Sequence, residues 1–120
     1  MDNSKALIAL QALANAQRLA LVRLVIGAGD AGLAAGDIGR ALNVAASRLS
    51  FHLSTLEQAG LIRARRDGRH LFYAVDRAGV GGVISHLLND CCGDHPEVRA
   101  CCAERHAPDS AHNSILRPVA

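Results

Sequence analysis

The chain has 120 residues, half of them apolar but only 2 % aromatic, which suits one small domain with a thin aliphatic core. A net charge of +2 is too small to mark a general polyanion binder. No run of about 18 uncharged apolar residues is present, and Met1-Asp2-Asn3-Ser4 does not open a signal peptide. These features exclude a membrane-spanning protein and point to the cytoplasm, where thiols stay reduced. Small domains with so little core often complete their burial by dimerising.

Residues 5–14 have Leu7, Leu10 and Leu13 at helical spacing, and residues 18–26 place Leu19, Val22, Val25 and Ile26 on one stripe. A Gly- and Ala-rich loop is expected over 30–36. A short third helix starts at Gly36-Asp37, with Ile38, Ala41 and Leu42 inward, and turns at Asn43-Val44 into a fourth helix over 45–59. Gly60 suits a left-handed position just past that helix. Two short helices joined by a tight turn make a helix-turn-helix candidate. Residues 61–66 and 69–75 alternate as strands about Asp67-Gly68, a two-residue hairpin signal. Asp76 is expected to cap a last helix running to about residue 89, with Val80, Val83, Ile84, Leu87 and Leu88 apolar and Gly79, Gly81 and Gly82 weakening its start. This divides the chain into a domain over 1–93 and a flexible tail over 94–120.

On the fourth helix, a rotation of about 100° per residue puts Leu49, Leu53 and Leu56 inward. Ser47, Phe51, Ser54 and Gln58 then face outward, flanked by Ser50 on one side and by Arg48 and Thr55 on the other. Such a small, polar face can enter the major groove and hydrogen-bond base edges. Phe51 interrupts it, either as an apolar contact to a thymine methyl or sugar, or by packing on the hairpin. His52 lies at the edge of the core stripe, as a structural histidine or as a donor to base or phosphate. In the hairpin, Arg63 and Arg65 share one strand face, while Arg66 and Arg69 flank the tip and can reach phosphates or a minor groove.

Asp37-Ile38, Leu42-Asn43-Val44, the run from Ser47 through Leu53, Ala59-Gly60-Leu61-Ile62 and Arg65-Arg66-Asp67-Gly68-Arg69 together resemble the ArsR/SmtB family of winged-helix repressors. The match extends over residues 7–92. The resemblance implies a mainly α, winged helix-turn-helix fold with a small β-hairpin. It also implies a homodimer built on the first and last helices, binding an imperfect inverted repeat in DNA, not RNA, and released by an effector. The DNA-contacting set it supports is Ser47, Arg48, Ser50, Phe51, His52, Ser54, Arg65, Arg66 and Arg69.

All four cysteines fall in two adjacent pairs, Cys91-Cys92 and Cys101-Cys102. The third helix and its lead-in lack the thiols of one sensing site in the family, and Asp76, His86 and Asp90 do not match the spacing of another. Cys91-Cys92 at the end of the last helix resembles arsenic-responsive members, which add one cysteine downstream. Whether Cys101 or Cys102 would supply that third sulfur stays open. A sulfur-only set selects soft ions. Three thiolates suit trivalent arsenic or antimony, as arsenite, antimonite or an organoarsenical, while four suit tetrahedral cadmium or zinc. Lead, a thiol-disulfide switch, unbound tail cysteines and a metal-sequestering protein without a DNA role complete the alternatives. An enzyme is not expected: six residues separate Cys92 from Arg99, one too many for a Cys-x5-Arg phosphatase loop, and no Cys-x-x-Cys is present.

Overall fold

The computed structural model describes residues 1–91, 95–98 and 100, with the backbone alone at 89–91. It divides into two compact units, Met1–Ile84 and Ser85–Ala120. The expected domain boundary after Gly93 lies outside the described residues, as do Cys92, Cys101 and Cys102.

The first unit opens with α1 (Asn3–Leu13), capped by Asp2, whose Oδ1 accepts from the Lys5 amide at 2.8 Å. α2 (Ala16–Gly27) starts the same way: Asn15 Oδ1 accepts from the Arg18 amide at 3.0 Å. A 3-10 turn at Gly29–Ala31 and a two-residue strand, β1 (Leu33–Ala34), follow where a plain loop was expected. β1 exists because β3 (His70–Val75) offers it a free edge, with Leu33 opposite Tyr73 and Ala34 opposite Phe72. β2 (Ile62–Asp67) pairs along the other edge, giving an antiparallel sheet in the order β1-β3-β2.

Between β1 and β2 lie α3 (Ala35–Leu42) and α4 (Ala46–Gln58), the expected helix-turn-helix. Both helices end in the same hydrogen-bond pattern. After α3 the Val44 amide donates to the Gly39 carbonyl at 3.0 Å and the Asn43 amide to that of Arg40 at 3.3 Å. After α4 the Leu61 amide donates to Leu56 and the Gly60 amide to Glu57, both at 3.0 Å. These are Schellman closures, each with a left-handed residue at the bend: Asn43 at φ 54° and Gly60 at φ 79°. Leu56 and Leu61, which the second closure brings together, are both fully buried.

The core joins Leu21, Val22 and Val25 of α2, Ile38, the α4 leucines, Leu61, Ile62, Tyr73 and Val83. From α1 it takes Ala9 and Ala12, and Ala6 is buried beside them. The expected stripes on the first two helices hold in part: Val22 and Val25 are buried and Leu10 and Leu13 half-buried, but Leu7, Leu19 and Ile26 are 46–51 % exposed. Both helices are apolar on more than one face, so periodicity alone does not choose the inner one. Close packing does, since small alanines let α1 approach its neighbours while its larger side chains turn outward. On α3, Ile38 is buried and Leu42 half-buried as expected, but Ala41 is exposed.

α5 (Arg77–Ser85) begins at Asp76, whose Oδ1 accepts from the Gly79 amide at 3.1 Å, as expected. A Cβ at Gly79 would overlap the Gly60 carbonyl oxygen, so this glycine sets how closely α5 lies on the end of α4. The helix stops at Ser85, short of the expected residue 89, and a π-helical turn covers His86–Cys91.

Candidate nucleic-acid interface

α4 is held by one face. Leu49, Leu53 and Leu56 are each 5 % exposed or less, as the helical period requires. Burying three such side chains contributes roughly 5–9 kcal/mol before the entropy cost of ordering them. That anchorage leaves Ser47, Arg48, Ser50, Phe51, Ser54 and Gln58 exposed. The Thr55 hydroxyl donates to the Phe51 carbonyl at 2.9 Å, and Gln58 Nε2 donates to Ser54 Oγ at 3.4 Å. Phe51 keeps 63 % of its surface open, so packing on the hairpin does not account for it.

His52 does not join this face. It is 5 % exposed and turned toward the start of α2, where both ring nitrogens are engaged. Arg18 Nη1 lies 3.2 Å from Nδ1 and Gln17 Oε1 lies 2.8 Å from Nε2. A guanidinium can only donate, so Nδ1 accepts and the proton sits on Nε2, donating to Gln17. Arg18 Nε also donates to the Ala12 carbonyl at 2.6 Å. Burial, then the charges of Arg18 and Arg48, lower the His52 pKa and keep the ring neutral. His52 is thus a structural residue tying α4 to the α1–α2 corner, and its expected contact with DNA is withdrawn. Gln17 and Arg18 were not anticipated as its partners; residues 17 and 52 lie far apart in the chain, and no local pattern joins them.

The hairpin register sorts the arginines. Opposite residues share a sheet face, so Ile62, Ala64 and Arg66 lie with Val75, Tyr73 and Leu71 on the core side. Arg63 and Arg65 lie on the outer face with Ala74 and Phe72. Arg65 is partly committed within the molecule: its guanidinium stands 5.1 Å from the Phe72 ring centroid and donates to the Ala31 carbonyl at 3.1 Å. Asp67 pairs with His70, so the two turn residues are Gly68 and Arg69, one position beyond the expected Asp67-Gly68. Gly68 at φ 63°, followed by a residue without positive φ, matches a turn with glycine in its first central place. Arg69 is therefore at the tip itself, exposed, with exposed Arg66 one strand residue back.

A cleft borders the outward face of α4. It has a volume of about 740 Å³, lies between α3, the first turns of α4 and β3, and is lined by Val44, Leu49, Leu53, Leu71 and Tyr73 with Arg40 and Asn43. Arg40 is paired with Asp37 within α3. Tyr73 is buried in this wall, and burial, with a smaller contribution from Glu57, raises its phenol pKa.

Of the expected thiol site, the structure gives only the backbone of Cys91, in the π-helical turn. Among the described residues no helix is long and apolar enough to cross a membrane.

Known proteins share this arrangement. Residues 13–65, from the end of α1 into β2, match the helix-turn-helix domain family. The regulator YgaV of Escherichia coli is 30 % identical over 83 residues, which cover 69 % of this chain and 82 % of that one. The transcriptional activator HlyU of Vibrio cholerae is 30 % identical over 86 residues, covering 72 % and 77 %. The chain belongs to the helix-turn-helix transcriptional regulators. Reduced HlyU superposes with a TM-score of 0.59 over 74 % of this chain and 90 % of its own. An ArsR-like regulator from Rhodococcus sp. RHA1, 20 % identical, shares the fold with a TM-score of 0.65 over 87 % and 93 %. In this regulator, α4 is the second helix of the helix-turn-helix, and β2 with β3 forms the wing. It is a regulator of transcription and not an enzyme.

Proposed function

We propose that the protein is a repressor that binds an imperfect inverted repeat in operator DNA as a homodimer and is released when trivalent arsenic binds its C-terminal thiolates. The observation that carries the DNA half is α4 itself, a leucine-anchored helix with an outward face of serines and Arg48. Ser47, Arg48, Ser50, Phe51 and Ser54 are the base- and backbone-contacting set. Arg66 and Arg69 are the wing contacts to phosphate, with Arg65 beside them. The homodimer is supported by exposed apolar side chains on α1, α2 and α5. Met1 and Ile8 flank one shallow depression and Ile26 and Ile84 another. Covering these faces with a second copy would set two α4 helices about one DNA turn apart.

The effector half rests on the donor set. Cys91, Cys92, Cys101 and Cys102 are all soft donors. Three thiolates suit trivalent arsenic or antimony, and binding after α5 in sequence would act on the dimer face without touching DNA. A coupling of about 1–3 kcal/mol would weaken operator binding 5–150-fold. Thiol-disulfide switching of the same cysteines is the second reading, favoured by the relative HlyU having been solved in a form distinguished as reduced.

The test starts from duplexes selected out of random-sequence DNA by the reduced protein. Arsenite should release the bound duplex, and Cys91→Ser Cys92→Ser should bind it equally and not release. Arsenite release from that variant would defeat the site assignment. Release by peroxide but not by arsenite selects the redox reading, and release by cadmium or zinc alone selects a divalent-metal sensor.

A further inference from the structure

We infer that Phe51 is a specificity determinant that covers the 5-methyl group of one thymine in each half-site. The inference rests on the reading of α4 as the DNA-contacting helix. Phe51 is the most exposed large apolar side chain among the described residues, at 63 %. It sits on the side of α4 opposite Leu49, Leu53 and Leu56, near the centre of the outward face. Its helical neighbours on that face are Ser47, Arg48, Ser54 and Thr55, with Ser50 on the flank, and among them the ring stays largely open to solvent. Among the described residues its one ring neighbour is His52, 5.8 Å away and tilted by 57°, and His52 is fixed in turn by Gln17 and Arg18. The ring therefore stands out from a polar face on a rigid base. The other exposed large apolar side chains of the first unit lie on α1, α2 and α5 or at Met1, so α4 carries Phe51 apart from the surface assigned to the second copy.

The chemistry of the major groove singles out one partner. Guanine, adenine and cytosine present donors and acceptors there, which a phenyl ring would desolvate without replacing. Thymine alone adds an apolar group, its methyl. A ring projecting beyond neighbouring serines meets that methyl first, while the serine hydroxyls remain free for adjoining polar edges. Phe51 then selects thymine by apolar contact, a kind of reading the serines cannot supply.

The experiment uses the full-length protein and a site selected from random duplex DNA, with each thymine replaced singly by uracil, which removes the methyl and keeps the pairing. One position per half-site should lose about 4-fold in affinity, and both together about 15-fold, the worth of one buried methyl apiece. Phe51→Ala should bind more weakly and show no difference between thymine and uracil there, while Phe51→Leu should keep part of it. Sequence-selective binding that no uracil substitution weakens overturns the inference, as does a thymine dependence that survives in Phe51→Ala. Failure to bind any duplex overturns the DNA-binding reading itself, and the inference with it.

Discussion

Acidification should loosen the hold on the reading helix through His52. The ring is buried, and both nitrogens are committed, Nδ1 as acceptor from Arg18 and Nε2 as donor to Gln17. A second proton on Nδ1 would face the Arg18 guanidinium with no acceptor available. Burial first, then Arg18 and Arg48, place the folded-state pKa below the ordinary 6.5. As pH falls, the unfolded chain takes up its proton first, so the contribution is fully present above 6.5 and is lost as pH drops toward the folded pKa. Each unit by which burial and the two guanidinium groups hold the folded pKa below the unfolded one is worth about 1.4 kcal/mol of stability, lost once pH has fallen past both values. That is a sizeable part of the 5–15 kcal/mol, roughly, that keeps a small domain folded. Urea unfolding of the wild type and of His52→Asn at pH 7.5, 6.5 and 5.5 isolates this contribution from the other histidines. Asparagine keeps an acceptor toward Arg18 and does not titrate, so the stability gap between the two proteins should shrink from pH 7.5 to 5.5. A gap that stays constant with pH would refute the assignment of a neutral, doubly bonded ring.

Gly60→Ala should destabilise the fold by about 1–2 kcal/mol, the cost of a left-handed backbone for a residue with a Cβ. Nothing lies within 4 Å of the added atom, so steric contact adds no further cost, and unchanged urea stability would count against the left-handed closure of α4. Arg69→Ala should weaken binding to all duplexes alike and reduce the slope of log affinity against log salt by about 0.9 per protomer; an altered sequence preference with an unchanged slope would contradict a phosphate contact. Ile8→Asp, on an exposed face of α1, should leave helix content intact and convert the protein to monomer by light scattering, whereas a dimer of unchanged affinity would rule out that face as the interface.

The reading helix and the wing were legible because each has a single self-consistent pattern. In α4 the leucines recur at 49, 53 and 56 among polar residues, so only one rotation about the axis buries them. The hairpin alternates, and glycine falls where the chain must reverse. Its turn was nevertheless assigned one residue early, because Asp-Gly is a strong local signal and the pairing of Asp67 with His70 is set across the sheet. β1 was not legible for a similar reason: two residues have no period, and their extended form comes from pairing with Tyr73 and Phe72.

The misplaced faces of α1 and α2 have a different cause, which bears on function. From Ala6 to Leu10 every residue is apolar, so sequence alone allows several inner faces. In the fold, Ala6, Ala9 and Ala12 go inside and Leu7 and Ile8 go outside. A monomer that only had to bury apolar area would turn its leucine and isoleucine inward, since each gains more than an alanine on leaving water. The opposite choice leaves the large side chains for another surface while the alanines allow close helix contact within the chain. That contact places the Ala12 carbonyl where Arg18 can reach it and His52 together. The corner that turns apolar side chains outward is thus the same corner that fixes α4 from behind. In the proposed homodimer, the surface that a second copy would cover and the helix that would read DNA are joined through three residues with satisfied hydrogen bonds.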